Sequence, residues 1–378
     1  MPNGRRSLRI AVHNGAPEWG GAEIAVCRLL AALQERGHTV RLFCNHPVVA
    51  ERAAGFDLEA PILHVGGDLS LWSSVRVARA LHRFDADVLM IGTFRKTLHL
   101  ALGAKAAFVP TVSRIGMSTD IPRNAKYRWL FGRIIDQVVV SAHDVAASYR
   151  TALPDLDEAR LEVIPKGVEP PSVAPDRDEA RARYGLPRDG VVVGVVARLV
   201  PEKGIDRFVE AVARVPGCTA VIVGDGPKRR ELEEQARHLG EVDRIRFLGH
   251  LDDPWPVFAA LDLLVVSSDR ESMANTMLEA LSLGVPVLST PVSGAHDVLV
   301  DGVDPEAPPG RVVSDFHPGS LAAALQRIVH EPALRARMAT AAAERAASRF
   351  AMTPYVDRWE STLLRVAKTR EGARAIQP

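Results

Sequence analysis

The feature that most constrains the fold is an alternation of short β-rich runs with helical runs, which occurs twice along the chain. The first series has β-rich runs at 8–13, 39–44, 62–65, 88–91, 108–112 and 138–141, with helical patterns at 21–35, 72–84 and 125–135. The second has β-rich runs at 191–196, 220–223, 245–248, 263–266 and 286–289, with helical patterns at 205–215, 228–239 and 277–283. Such alternation predicts α/β domains, each built on a mostly parallel sheet covered by helices.

Four prolines, at 165, 170, 171 and 175, separate the two series. Proline continues neither a helix nor a central strand, so we predict an interdomain linker at 171–176. The first domain then spans 1–170 and the second 177–354, and a C-terminal helix at about 355–378 is predicted to complete the first domain. Two such domains predict a ligand cleft between the carboxyl ends of their sheets.

The composition excludes some partners. A formal net charge of +1 gives no global basic field that would favour nucleic acid. No apolar run approaches the roughly 18 residues that a spanning helix needs. The three cysteines are scattered through or beside apolar runs and are interpreted as small core residues. We therefore expect a cytoplasmic protein, with peripheral attachment to the inner face of the membrane left open.

The stretch 267–280 is the strongest candidate for a site. It follows the apolar run 263–266, carries Glu271 in a polar loop, and enters a helical pattern in which Glu279 lies eight positions after Glu271. Backbone amides at the start of that helix, 274–277, would lack intrahelical acceptors and lie at the positive end of the helix dipole. Such an end binds anions, most often phosphate.

Three other loops follow predicted strands. Gly20-Gly21 precedes a helix and would let a ligand approach the backbone. Arg198 and Lys203 lie five positions apart and could neutralise a diphosphate, although solvated loop charges are the alternative. Gly224 belongs to a Gly-Asp-Gly-Pro turn, which is equally typical of a plain strand-to-helix turn. The dinucleotide and P-loop glycine motifs are absent, which counts against a nicotinamide or P-loop protein.

Taken in this order along nearly the whole chain, these motifs resemble glycosyltransferase family 4, the retaining enzymes of the GT-B fold. The resemblance rests on Gly20-Gly21-Ala22-Glu23, Ile164-Pro165-Lys166-Gly167-Val168, Arg198 with Lys203, Gly224-Asp225-Gly226-Pro227, and Glu271 with Glu279. It implies two Rossmann-like domains facing each other across a cleft.

The resemblance also implies roles for these residues. Arg198, Lys203 and Glu271 would be catalytic: the two cations hold the donor diphosphate and stabilise its departure, and Glu271 binds hydroxyls of the transferred sugar. Glu279 would accept hydrogen bonds from the ribose. Further donor contacts are implied at Gly20, Gly21, Gly224, Asn275, Thr276 and Met277.

No cofactor or metal is expected beyond the nucleotide-sugar co-substrate. No Asp-x-Asp motif comes directly after a strand, since Asp85-Ala86-Asp87 precedes one. On the acceptor side, His13 ends the first predicted strand, and Arg114 follows a strand where many family members have a histidine. Arg114 either meets an anionic group of the donor or acceptor or is structural, and a structural role is equally open for His13.

The predicted helix 123–133 mixes three or more basic residues with aromatic ones. Such a helix can lie on anionic lipid, although packing of its aromatic residues on its own sheet is the alternative. Overall we expect a retaining, metal-independent glycosyltransferase that moves a sugar from a nucleotide-diphosphate sugar to a hydroxyl of a glycan, glycolipid or small molecule. The alternatives are a catalytically silent sugar-nucleotide-binding partner protein and a GT-B-fold nucleotide-sugar epimerase.

Overall fold

The computed structural model describes residues 6–67, 70–92, 94–116, 124–154 and 156–374, and the chain divides into two compact units. The first unit comprises Met1–Pro165 and Thr353–Pro378, and the second comprises Lys166–Met352. Lys166 and the proline-rich segment 171–176 therefore both belong to the second unit. The unit boundary lies at Pro165, five residues before the predicted end of the first domain.

The first unit contains a six-stranded parallel sheet with the order β2-β1-β3-β4-β5-β6. Its strands are β1 (Arg9–Asn14), β2 (Thr39–Cys44), β3 (Val88–Ile91), β4 (Thr111–Ile115), β5 (Gln137–Val140) and β6 (Leu161–Val163). Its helices are α1 (Gly21–Glu35), α2 (Pro47–Ala53), α3 (Leu71–Phe84), α4 (Thr97–Ala106), α5 (Ala125–Trp129) and α6 (His143–Ala152).

The second unit contains another six-stranded parallel sheet, with the order β12-β11-β10-β7-β8-β9. Its strands are β7 (Val191–Val196), β8 (Cys218–Val223), β9 (Ile245–Gly249), β10 (Leu263–Val266), β11 (Val287–Ser289) and β12 (Gly310–Val312). Its helices are α7 (Arg177–Arg183), α8 (Ile205–Ala213), α9 (Arg229–His238), α10 (Trp255–Ala260), α11 (Asn275–Ser282), α12 (Ala295–Leu299), α13 (Pro318–His330) and α14 (Pro332–Arg349).

The valine-rich strand β7 has apolar side chains on both faces of the second sheet. Val192 packs into one hydrophobic cluster and Val193 into another, and both side chains are fully buried. Successive side chains of a strand point to opposite faces, so a continuous apolar run needs helices on both sides.

The last helix, α15 (Met352–Arg374), returns to the first unit. Its Trp359 is 1% exposed. The buried carboxylate of Glu360 accepts a hydrogen bond from Arg36 Nη1 at 2.6 Å and lies 3.4 Å from His38 Nε2. Apolar burial and a half-buried ion pair thus attach this helix to the first unit.

The prediction of two parallel α/β sheets is confirmed, but three of the predicted elements are wrong in detail. The run 62–65 is not a strand: its only bridge joins Ile62 to Cys44, and Ile62 is 44% exposed, although Val65 is buried in the core. The strand predicted at 108–112 begins only at Thr111, because Phe108 adopts a left-handed φ of 54°. The helix predicted at 125–135 ends at Trp129 and continues as a π-helical turn, Leu130–Ile134.

Candidate functional site

The second sheet has a topological switch point between β7 and β10. Strand β8 follows β7 on one side, whereas β10 pairs with β7 on the other through Leu263 and Val193. The connections after these two strands therefore diverge, and open α/β sheets bind ligands at such a point, beyond the carboxyl ends of the strands. The loops that leave β7 and β10 carry the predicted catalytic residues Arg198, Lys203 and Glu271.

The loop after β7 is shaped by a short 3-10 turn, Pro201–Lys203, and by Gly204. Gly204 has a φ of +54°, and a Cβ added to it would lie 2.3 Å from the carbonyl oxygen of Ser267. Any other residue would collide with the backbone after β10. The glycine therefore lets the two loops approach each other closely.

Lys203 and Glu271 form an ion pair between the two loops. Lys203 Nζ lies 2.5 Å from Glu271 Oε1, and the side chains are 23% and 14% exposed. The hydroxyl of Ser268 donates a second hydrogen bond to Glu271 Oε1, at 2.8 Å. The carboxylate is therefore oriented from two sides while both charged groups keep access to solvent.

Further hydrogen bonds fix the loops around this pair. Ser267 Oγ donates to the Lys203 carbonyl at 3.0 Å, and the Asp269 amide donates to the Glu202 carbonyl at 2.9 Å. Thr290, after β11, donates from its hydroxyl to the Ser268 carbonyl at 2.6 Å. The site thus rests on backbone contacts among three neighbouring strand ends.

Helix α11 begins directly beyond Glu271. Its N-cap residue is Ala274, whose methyl side chain cannot accept a hydrogen bond from the first turn. The Met277 amide donates to the Ala274 carbonyl at 3.2 Å, and the Met277 side chain is fully buried. Asn275 and Thr276 are half-buried at the positive end of this eight-residue helix. The half-buried Glu279 lies one turn further along α11.

A buried lysine also meets the start of α11. Lys166 Nζ donates to the Met273 carbonyl at 2.6 Å and to Asn275 Oδ1 at 3.0 Å. In the sequence, Lys166 belongs to the motif at 164–168, and no contact with α11 was predicted for it. The contact joins residues 109 positions apart, so no local sequence pattern predicts it.

Gly224 supports the Arg198 loop through its backbone. Its φ is +130°, and a Cβ there would lie 1.9 Å from the carbonyl oxygen of Ala197. The next residue, Asp225, accepts a hydrogen bond from the Leu199 amide at 2.9 Å. Arg198 itself is exposed, and its chain neighbours are the two residues that make these contacts, Ala197 and Leu199. The structure therefore gives Gly224 a packing role, and its predicted donor contact stays a prediction.

In the first unit, His13 is the most buried of the predicted site residues. The pKa of His13 is lowered to about 4, mainly by burial and to a smaller extent by the nearby Lys96. The contact with the Leu63 carbonyl acts in the opposite direction and raises this pKa. His13 Nε2 lies 3.4 Å from that carbonyl, and Nδ1 has no hydrogen-bond partner within the described ranges. The side chain has no solvent access, which fits a structural histidine better than an acceptor contact.

The other predicted residues of the first unit lie near the carboxyl ends of two strands. After β1 come Gly20, Gly21 and Glu23, and Arg114 is the last residue but one of β4. Gly20 is the extended N-cap of α1, and Gly21 is the first residue of that helix. Burial raises the pKa of Glu23, which the nearby Arg114 and Asn14 partly offset. Burial raises the pKa of the Tyr355 phenol on α15, and the half-buried Arg114, which hydrogen-bonds it, offsets part of that rise. The sequence did not single out Tyr355, because it is about 240 positions from Arg114.

Metal-ligand clusters and spanning helices are both absent from the described residues. In the part of the chain that the structure describes, no three His, Cys, Asp or Glu side chains are grouped as metal ligands would be. Over the same residues, no helix is both long enough and apolar enough to cross a membrane.

Two protein families match this chain. "Glycosyltransferase Family 4" matches residues 19–171, and "Glycosyl transferases group 1" matches residues 176–345. The two matches lie one after the other and cover β2 to β6 of the first sheet and all six strands of the second. The chain belongs to this glycosyltransferase family, and the resemblance drawn from the motifs is confirmed.

Among curated relatives, the chain is 30% identical over 348 residues to the lipopolysaccharide core biosynthesis glycosyltransferase LpsD of Rhizobium meliloti (strain 1021). That alignment covers 89% of this chain and 93% of LpsD. A second relative from the same organism, LpsE, is 36% identical over 177 residues, or 47% of this chain and about half (51%) of LpsE. Both relatives are named as glycosyltransferases, so the chain is a glycosyltransferase by family.

Solved structures show the same fold. HepE of Anabaena, crystallised in complex with UDP and glucose, superimposes with a TM-score of 0.80 at 21% identity, covering 94% of this chain and 99% of HepE. A glycosyltransferase from Rickettsia africae ESF-5 gives a TM-score of 0.84 at 16% identity, covering 96% of this chain and all of that one (100%). At these identities the likeness is one of fold.

Proposed function

We propose that this glycosyltransferase moves a sugar from a nucleoside-diphosphate sugar to a hydroxyl group, with retention of anomeric configuration and without a metal. The observation that carries the proposal is the Lys203–Glu271 pair, which joins two loops at the switch point of the second sheet beside the start of α11. It combines a cation for a leaving phosphate with a carboxylate for a polar substrate.

The charges suit this reaction. Departure of the nucleoside diphosphate leaves positive charge on the sugar carbon and negative charge on the phosphate. Fixed positive groups stabilise that phosphate in the transition state, and here Arg198, Lys203 and the first turn of α11 would supply them. Glu271 would bind hydroxyls of the transferred sugar, and Glu279 the ribose.

Metal independence and retention are further parts of the proposal. Two cationic side chains and a helix start can neutralise a diphosphate, a task for which other enzymes use a divalent cation. In the retaining path we propose, the leaving phosphate stays on the face from which the acceptor attacks and takes the acceptor's proton. The carbon–phosphate oxygen bond breaks as the new glycosidic bond forms on the same face.

The relatives indicate a substrate class. LpsD and LpsE are named for lipopolysaccharide core biosynthesis, and HepE was crystallised with UDP and with UDP-glucose. We therefore propose a bacterial surface glycan, such as a lipopolysaccharide core, as acceptor, and a UDP-sugar as the first donor to test.

The test starts from a thermal-shift screen of the full chain against UDP-, GDP- and ADP-sugars. The donor that stabilises most is then incubated with and without a lipopolysaccharide acceptor, in the presence of EDTA, and release of nucleoside diphosphate is measured. We expect acceptor-dependent release that EDTA leaves unchanged, and a product whose anomeric configuration matches the donor by NMR. Binding without release would favour a silent partner protein, conversion without acceptor an epimerase, and no response to any donor would refute the proposal.

We also propose peripheral contact with anionic membrane through the segment 123–133, whose first residue lies outside the described ranges. Leu130 and Phe131 are buried and Tyr127 stacks on Phe94, so only part of the aromatic content packs inward. Trp129 is 49% exposed and is flanked by the exposed Arg128. An exposed tryptophan beside basic residues fits a lipid interface.

Cosedimentation with phosphatidylglycerol vesicles tests this contact. Replacing Arg128 by Glu should weaken binding several-fold, because it reverses a charge that faces the anionic surface. Arg230→Glu on α9 is the matched control, since its side chain is 91% exposed in the second unit. Equal binding by both variants, or equal binding to phosphatidylcholine, would contradict the proposal.

A further inference from the structure

The second unit has three buried cations that bind backbone carbonyl groups, and one of them lies at an unusual place. Arg181 and Arg345 are 1% and 7% exposed, and Lys166 is 7% exposed. Arg181 donates to the carbonyl of Ala260, the last residue of α10, at 3.0 Å. Arg345 donates to the carbonyl of Val298, near the end of α12, at 3.1 Å. Both arginines thus meet the negative ends of helices, where a cation is stabilised.

Lys166 lies at the opposite kind of helix end. Its ammonium group contacts Met273 and Asn275, directly at the start of α11, where the helix dipole is positive. A cation at this end is disfavoured by the dipole, whereas an anion is favoured. The Met273 carbonyl and the Asn275 amide oxygen could each accept a hydrogen bond from a neutral donor such as an amide, so these two hydrogen bonds do not by themselves require a positive charge.

The position of this charge is explained if an anion binds at the same helix start. We infer that Lys166 is a positioning residue for the diphosphate of the donor, an inference that rests on the proposed function. It holds the Met273 carbonyl and the Asn275 side chain, and so fixes the entry of α11. In the bound state its charge would add to those of Arg198 and Lys203, which belong to the loop after β7.

Three substitutions in the full chain separate charge from packing. Lys166→Met removes the charge and the hydrogen bonds at similar length, Lys166→Gln keeps a neutral donor, and Lys166→Arg keeps the charge. The probes are the nucleoside diphosphate that binds the wild type best among UDP, GDP and ADP, and the corresponding nucleoside. Calorimetry gives both dissociation constants. The dissociation constant of the nucleoside divided by that of the nucleoside diphosphate measures how much the two phosphates contribute to affinity.

We expect this ratio to fall about tenfold for Lys166→Met and Lys166→Gln, because a charge at a partly buried helix end has an effect of this size. For Lys166→Arg, which keeps the charge, the ratio should change less than about threefold. Arg345→Met is the control: it removes a buried cation at a negative helix end, so it should lower the melting temperature and leave the ratio unchanged. Lys166→Gln, which retains a donor, keeps the test open if Lys166→Met does not fold.

Two failures are distinguishable. If the wild type binds none of the three diphosphates, the proposed function fails, whatever the role of Lys166. If the wild type binds one of them and the folded Lys166→Gln protein retains the wild-type ratio, the inference about Lys166 is overturned while the proposed function stands.

Discussion

At the scale of single residues, the Lys203–Glu271 pair joins structure to function most directly. Glu271→Gln keeps the shape of the side chain and removes its charge. We expect turnover to fall about 100-fold, the usual loss when one fixed electrostatic group of an active site is removed. Stability should fall by only about 1 kcal/mol, since both side chains reach solvent. Release of nucleoside diphosphate and thermal melting measure the two effects.

Lys203→Ala should reduce turnover to a similar extent, and the double variant should be little worse than either single one, because the two residues act as a unit. Glu234→Gln is the control, since its carboxylate pairs with a residue of its own helix, Arg230, at 2.9 Å. Wild-type turnover by Glu271→Gln would show that the carboxylate has no part in the reaction.

His13 predicts a pH dependence of stability. Its folded pKa of about 4 lies below the ordinary 6.5, so the unfolded chain binds a proton that the folded chain does not. The neutral buried imidazole therefore contributes stability above pH 6.5 that is lost as the pH falls toward 4, about 3 kcal/mol in all.

Replacing His13 by Asn should flatten the decline in unfolding free energy between pH 7.5 and pH 5, by about 2 kcal/mol at the lower end. Urea unfolding followed by fluorescence at several pH values gives this slope. His82, an exposed histidine on α3, provides the matched control variant His82→Asn, which should retain the wild-type slope. A slope that is the same in all three proteins would mean that His13 titrates normally in the folded chain.

At the scale of elements, the loops after the strands depend on close backbone approach. Gly224→Ala should destabilise the second unit by about 3 kcal/mol or more, because the new methyl group would collide with the Ala197 carbonyl in addition to the strain of a positive φ. Gly240→Ala separates the two effects. Gly240 also has a positive φ, +75°, but nothing lies within 4 Å of an added Cβ.

The control variant should therefore lose only about 1 kcal/mol, the strain alone. Hydrogen exchange in the second unit measures both losses. Equal losses would show that the Gly224 loop relaxes away from the Arg198 loop, and that its support of Arg198 is weak.

The elements also differ in how far the sequence alone predicts them. Strands β7 and β10 were predicted with their observed bounds, because an apolar run of four to six residues between turn signals is typical of a buried strand. Strands β6 and β12 were missed, since each has only three residues and one of them is charged, Glu162 in β6 and Arg311 in β12, so no apolar run marks them. Lys203 and Glu271 were both predicted to lie at strand ends of the second domain, but the ion pair between them was not predicted. The contact of Lys166 with Asn275 depends on the tertiary fold and had no sequence signal.

At the scale of the whole molecule, the chain leaves its first unit at Pro165 and returns to it at Thr353. Alternation along the sequence predicted two α/β domains, because it is a long, repeated pattern. The helix at about 355–378 was also predicted to complete the first domain, although no repeated pattern in the sequence indicates that return. Which side chains of that helix would be buried was not predictable. Glu360 is 3% exposed, and its buried carboxylate lies beside Arg36 and His38 of the same unit, which are more than 300 positions away in the sequence.

This return makes the first unit dependent on the last helix. Deleting 353–378 removes the buried side chains of Trp359, Leu363 and Val366. Each large apolar side chain contributes about 1.5–3 kcal/mol, so the loss approaches the whole stability of a typical domain. We expect the first unit to lose its protection from hydrogen exchange while the second unit keeps its own and still binds a nucleoside diphosphate. Replacing Lys368, an exposed residue of α15, by Ala is the control and should leave both units protected. Because α15 belongs to the first unit from Thr353 onward, loss of protection in the second unit instead would contradict the division of the chain at Pro165 and Thr353.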